Sequence, residues 1–362
     1  MNATLWLKLI FDPSTIGILL TAVGTIYYGT WRSYNFNIDN IQLMKETGQV
    51  PNIAFILFPV VGSISLLALF YFLDIMYYLL LALISFSSLL SITYVLSPLT
   101  SWIFTKLKLH DKSYKWDDDL SITRSIILSF IIGVALVISW YLTNKFVFVN
   151  ILSICSIITA FTFMRFNNLQ SLTILLWIFL IYDVFWVFIS PYFFEKSVME
   201  TVATEVLDKF YLPLLISYDR ILTDGRSALG NGDIVLPGIF LCQLYFIDKY
   251  YKYDEVERQS TSKFKNLSYF KISLIGYFFG LLLSYIIVIA TQRGQPALLT
   301  LVPFSTIPPL LVAKKRGNLT VLLKPIPKPK QDEEQTNNLI KVDNNEDLQN
   351  QDGTPLEDIR VE

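Results

Sequence analysis

Histidine is almost missing from this sequence: the single one, His110, lies in the charged stretch from Lys106 to Lys112. A zinc site of the His-Glu-x-x-His kind needs two histidines one helical turn apart, and a serine protease built on a membrane-level Ser-His pair needs a histidine inside a span. Both chemistries are therefore excluded at the outset. Cysteine is scarce as well. Cys155 and Cys242 fall inside apolar runs, where a thiol acts as a small packing group, so they imply neither a disulfide nor a redox compartment. Charge is the third shortage. Only 16% of residues are charged, against about 25% in a soluble domain, which argues against a single water-soluble core. The 29 basic and 30 acidic residues leave a formal net charge of -1, which gives nucleic acid no reason to bind. No internal repeat of fixed period is present.

What replaces charge is apolar surface: 53% of residues are hydrophobic and mean hydropathy is +0.48. Runs without charge, such as Asn52 to Leu73 and Ile75 to Thr105, reach the roughly 17 to 25 residues a helix needs to cross a bilayer. Nine candidate spans follow: Ser14–Trp31, Asn52–Leu73, one within Ile75–Thr105, Ser125–Leu142, Val147–Met164, Ser171–Ser190, about Ala228–Ile247, about Ile272–Ala290 and about Pro296–Ala313. All are expected to be helices, because a backbone in lipid must satisfy its own hydrogen bonds. The expected class is an all-α polytopic membrane protein of nine transmembrane helices, with the lipid bilayer as its solvent.

An odd number of spans puts the termini on opposite sides. With the N-terminus outside, 20 Lys and Arg residues fall on the inner loops and flank against 7 outside, so the N-terminus is predicted luminal and the C-terminus cytosolic. Three regions are expected: helices one to five over residues 1–170, helices six to nine over 171–313, and a cytosolic segment over 314–362. Beyond Pro329 the chain turns polar, and Gln331 to Glu362 carry ten acids against Lys341 and Arg360, the composition of a disordered tail. The connection from Pro191 to Ser227 has an acidic first half, with Glu195, Glu200, Glu205 and Asp208.

A charge at a helix centre costs about 2.5 to 3.5 kcal/mol on insertion scales, so an acid inside a span marks a candidate site. Only Asp183 and Asp233 lie well inside; Asp74 falls at the connection between the second and third spans. Asp183 follows Gln170 by 13 residues and Asp233 precedes Asp248 by 15, which at about 1.5 Å per residue places them roughly 20 and 22 Å from the same membrane face. Two carboxylates at one depth on consecutive antiparallel helices can face each other. In a low dielectric they would share a proton and titrate as a pair, supplying an acid and a base together. Gly230 and Gly232 would let a neighbouring helix or an extended chain approach Asp233. On charge and depth alone, the acids serve a hydrogen bond to a neighbouring helix, the proton or cation site of a carrier, or a catalytic pair.

The sequence around them narrows this. Tyr182-Asp183-Val184-Phe185-Trp186-Val187-Phe188, Gly230-Asn231-Gly232-Asp233 and Gln295-Pro296-Ala297-Leu298-Leu299 together resemble the three-part signature of the signal peptide peptidases and their presenilin relatives. The resemblance runs from about Asn150 to Leu323, and the Phe-Trp continuation favours the peptidase branch. It implies an aspartic endopeptidase that cuts transmembrane segments of type II proteins or remnant signal peptides, with Asp183 and Asp233 as the catalytic pair. Tyr182, Gly230, Gly232, Pro296, Ala297 and Leu298 would shape the site. It implies no metal and no cofactor, substrate helices as partners, and residence in the endoplasmic reticulum membrane or, alternatively, the Golgi, and it leaves a homo-oligomer open. Asn231 stands where many members carry an apolar residue. A catalytically idle helix-binding factor would use the same cleft.

Overall fold

The structure, a computed structural model, describes residues 12–39, 54–108, 111, 113–115, 121–164, 166, 168–194, 197–199, 201–202, 212–222, 225–251, 268–291 and 295–323. His110, the acidic residues from Glu195 to Asp208 and the tail from Gln331 lie outside the described residues.

Helices occupy each of the nine predicted places: α1 (Pro13–Asp39), α2 (Ala54–Tyr71), α3 (Leu73–Lys106), α4 (Arg124–Thr143), α5 (Phe146–Phe163), α6 (Leu169–Val184), α7 (Asn231–Tyr251), α8 (Tyr269–Thr291) and α9 (Leu298–Lys315). Six of them are long and apolar enough to cross a membrane, namely α3, α4, α5, α6 with its continuation to Phe194, α8 and α9. α2 is apolar over the shorter stretch Leu57–Tyr71. The break between α2 and α3 falls at Phe72, so Asp74 sits in the first turn of α3 rather than in a connection. Beyond α6 the helix widens into a π-helical turn, Phe185–Ile189, a distortion that recurs at functional sites.

Two expectations need correction. The described residues are mostly but not wholly helical: β1 (Ser113–Lys115) pairs antiparallel with β2 (Ser121–Thr123), and β3 (Leu215–Asp219) pairs antiparallel with β4 (Arg226–Gly230). The seventh helix starts at Asn231, so Ala228 to Gly230 belong to β4 and Asp233 stands in the first helical turn. The reason lies in periodicity. Burial alternates along Arg226–Gly230, the period of two that a strand requires, and a short apolar run cannot announce which period it will follow.

Small and hydroxylic residues let the helices close on one another. Between α3 and α4, Thr100 shares a 2.7 Å hydrogen bond with Ser129 and donates at 2.9 Å to the Ser125 carbonyl. α8 packs most extensively against α9. At Gly276 the backbones come so near that a Cβ would fall on the Phe304 carbonyl oxygen, a contact only glycine permits. Ser273 donates to the Ser305 carbonyl at 2.7 Å across the same seam.

The hairpin β3–β4 is held from two sides. On α5, the buried Asn150 side chain donates to the Ser217 carbonyl at 2.8 Å and accepts from the Ser217 N–H at 2.9 Å, while Ser153 donates to the Leu215 carbonyl at 2.9 Å. An amide side chain thus replaces a neighbouring strand along the outer edge of β3. At the start of α1, Asp12 precedes Pro13 and accepts from the Ser14 N–H at 2.9 Å, capping the helix. The same carboxylate accepts from Leu222 at 2.9 Å and Ile221 at 3.3 Å in the hairpin turn.

Burial pushes the Asp12 carboxyl up, but the hydrogen bonds from Leu222, Ser14 and Ile221 outweigh it and hold the group at about 2, below its ordinary 3.8. A carboxyl depressed in the folded state stabilises above its unfolded value and loses that contribution as pH falls through the folded one. Melting temperature in detergent should therefore drop between about pH 4 and pH 2 more steeply for wild type than for Asp12→Ala. At pH 7 the variant should be less stable by about 1 to 2 kcal/mol, the worth of a lost cap.

Candidate active site

Asp183 is carried by the last turn of α6, whose N-terminus is capped by the Asn168 side chain accepting from the Ser171 N–H at 2.7 Å. The carboxylate is buried, with 5% of its surface exposed, and the backbone N–H of Leu298 hydrogen-bonds it. Asp233 comes from the first turn of α7. Its carboxylate receives the Gly230 backbone N–H and lies close enough to Asp183 for the two charges to act on each other. α6, α7 and α9 pack on one another, and the two acids lie within electrostatic reach of each other where these helices converge. Each oxygen pair has one backbone amide aimed at it, which would otherwise be an unpaired buried donor.

The other predicted residues gather around this pair, in different ways. The Tyr182 hydroxyl turns toward α2, where it hydrogen-bonds the Ser63 side chain and lies beside Gly62; its ring packs 6.3 Å from that of the buried Trp186. Gly230 ends β4, and a Cβ there would approach the Asp233 carboxylate to 3.2 Å. A Cβ at Gly232 would meet nothing within 4 Å. Pro296 is buried just before α9, Ala297 lines a cavity with Asp233, and Leu298 supplies the amide to Asp183.

Two participants, Tyr277 and Ser190, escaped the sequence reading, and a third, Asn231, was read only as a departure from the usual apolar residue. Tyr277, fully buried on α8, points its hydroxyl at the Asp233 backbone carbonyl, 3.3 Å away. Asn231 donates to the Pro213 carbonyl at 3.0 Å, tying the start of α7 to the chain before β3. Ser190 donates to the Trp186 carbonyl at 2.6 Å and accepts from the Val198 N–H at 3.2 Å, fixing the end of the π-helical turn. Uncharged side chains in apolar helices give no composition signal, so these contacts had none to offer. Among the described residues no three His, Cys, Asp or Glu side chains assemble as a metal-ligand set. Cys155 and Cys242 are both buried and neither is in a disulfide.

Fold and site together define a multi-pass helical membrane protein in which two helices bring two carboxylates within electrostatic reach of each other beside a short hairpin. Comparison with known proteins identifies the kind. Residues 42–328 match the family model of signal peptide peptidase, and the chain belongs to that family. It is 28% identical over 352 residues to signal peptide peptidase-like 1 of Arabidopsis thaliana, covering 88% of this chain and 95% of the relative. It is 27% identical over 341 residues to signal peptide peptidase-like 1 of Oryza sativa subsp. japonica, covering 85% and 92%. Signal peptide peptidase-like 5 of the same rice is 35% identical over 174 residues, 47% of this chain and 30% of the relative.

Proposed function

We propose that this chain is an intramembrane aspartic endopeptidase that hydrolyses peptide bonds within transmembrane helices, with Asp183 and Asp233 as its catalytic dyad. The observation that supports the reading is that these two acids act on each other electrostatically where α6, α7 and α9 pack together, each with a backbone amide on it. The ionised member takes a proton from water as the water attacks the scissile carbonyl, and the protonated member hydrogen-bonds the developing oxyanion. Tyr182, Gly230, Gly232, Pro296, Ala297 and Leu298 position the pair and the substrate backbone. Nine spans, a luminal N-terminus and a cytosolic C-terminus belong to this reading. So do substrates among type II proteins or remnant signal peptides, and the endoplasmic reticulum membrane, with the Golgi as alternative.

A helix hides its carbonyls, so the substrate must unwind before attack. β4 offers the unwound chain a partner. In an antiparallel pair, backbone groups alternate between facing the partner strand and facing away. Ser217 and Leu215 turn theirs toward Asn150 and Ser153, so their counterparts Ala228 and Gly230, in the same register, face away from β3. Main-chain pairing along that edge would lead a substrate strand directly to Asp233.

The test is purified protein in liposomes with a transmembrane peptide, read by mass spectrometry for new termini. Ion flux without new termini would favour a carrier, and binding without either an idle helix receptor. Ala228→Pro deletes an N–H that β3 does not use. It should lower kcat/KM by about tenfold, the worth of one or two hydrogen bonds, while shifting the melting temperature little. Equal cleavage by this variant would refute pairing on β4.

A further inference from the structure

Between α1, the hairpin and α8 lies a cavity of about 250 Å³ whose lining includes Asp233, Ala297, Gln295, Tyr285, Arg220 and Arg226. A site beside a catalytic acid, in a membrane protein, has little cause to hold two guanidinium groups. Each costs free energy to place near low dielectric unless a negative charge meets it. Arg226 has one, since its Nε sits 2.6 Å from the Asp219 carboxylate. Arg220 is different. Its Nε donates to Ser227 Oγ at 3.1 Å, and among the described residues no carboxylate lies within ion-pair distance of it.

Arg220 is also held in place. Ser227 Oγ is a hub that meets the Ser14 hydroxyl at 3.2 Å and the Tyr285 hydroxyl as well, so strand, first helix and α8 fix the arginine through one atom. Its two terminal nitrogens remain available to a ligand in the fork geometry that matches a carboxylate. β4 runs over five residues from Arg226 to Gly230, four steps that span about 13 Å at roughly 3.3 to 3.4 Å each. The arginine end of the cavity therefore stands three to five strand positions from the acids.

We infer that this cavity is a subsite for an acidic side chain of the substrate, Asp or Glu, carried three to five residues from the scissile bond on the flank that lies along the hairpin, with Arg220 as the residue that reads it. The inference rests on the peptidase reading and on pairing along β4. It makes the enzyme selective for helices whose flank on that side is acidic, in a bilayer setting where most flanking positions are apolar.

The test uses the full-length protein in liposomes and transmembrane peptides identical except for Glu, Gln or Lys placed three, four or five residues to either side of the cleavage site. With wild type, Glu should exceed Gln in kcat/KM by about tenfold at one of these positions and on one side only. Arg220→Gln should bring the Glu-to-Gln ratio to about one, Arg220→Lys should keep part of it, and Arg220→Glu should favour the Lys peptide. A ratio that Arg220→Gln and Arg220→Glu both leave unchanged, or no Glu preference at any position, would overturn the subsite while leaving the peptidase standing. Failure of wild type to cut any peptide would overturn the peptidase reading, and the subsite with it.

Discussion

Asp183→Ala and Asp233→Ala should each lower cleavage of a transmembrane peptide by at least about 1,000-fold, and the double variant should be no slower than either single. Groups that act as one unit are non-additive: once either is lost, little remains for the other to contribute. A carboxylate and a carboxylic acid must both be present, one to take the proton and one to give the hydrogen bond. Asp183→Asn and Asp233→Asn should be as severe, since an amide can donate a hydrogen bond but can neither take the proton from water nor pass one on. Their melting temperatures should stay near wild type, because the Leu298 and Gly230 amides keep an acceptor oxygen. Asp74→Asn, an exposed acid in the first turn of α3, should cut normally. Residual activity above about 1% in either Ala variant would remove the dyad from the mechanism.

Gly276→Val should be the most damaging substitution away from the acids. The new Cβ would land on the Phe304 carbonyl oxygen, a backbone atom that cannot rotate aside, and Gly280 is nearly as tight, with the Thr300 carbonyl at 3.0 Å. α9 would have to move, and its first residue is the Leu298 whose N–H holds Asp183. Overpacking of this kind costs about 1 to 3 kcal/mol or more, so a fall of several degrees in melting temperature is expected together with loss of cleavage. Gly24→Val, where a Cβ meets nothing within 4 Å, is the matched control. Gly276→Val cutting as well as Gly24→Val would mean that α9 does not set the geometry of Asp183.

The helices were legible because hydropathy over twenty residues is a strong signal, and the acids because charge in such a run is rare. Starting and ending points were less so. The seventh helix was expected from Ala228, yet β4 claims Ala228 to Gly230, because these residues pair with β3, which the Asn150 amide holds in place from its other edge. Asp12 carried a readable cue, an Asp-Pro-Ser start of the kind that caps helices; its grip on the hairpin turn did not, because Ile221 and Leu222 are remote in sequence. Tyr277 and Arg220 acquire meaning only from the neighbours that folding brings to them.

The Asn150 amide has a bearing on which bond is cut. A strand that slips by one residue exchanges its two faces and reverses the direction of every backbone group. By gripping both polar atoms of Ser217, Asn150 permits β3, and through it β4, a single phase. If substrates pair on β4, that side chain on α5 works as the zero mark of a ruler: Asn150→Leu should blur one cleavage site into neighbouring ones before it slows the reaction.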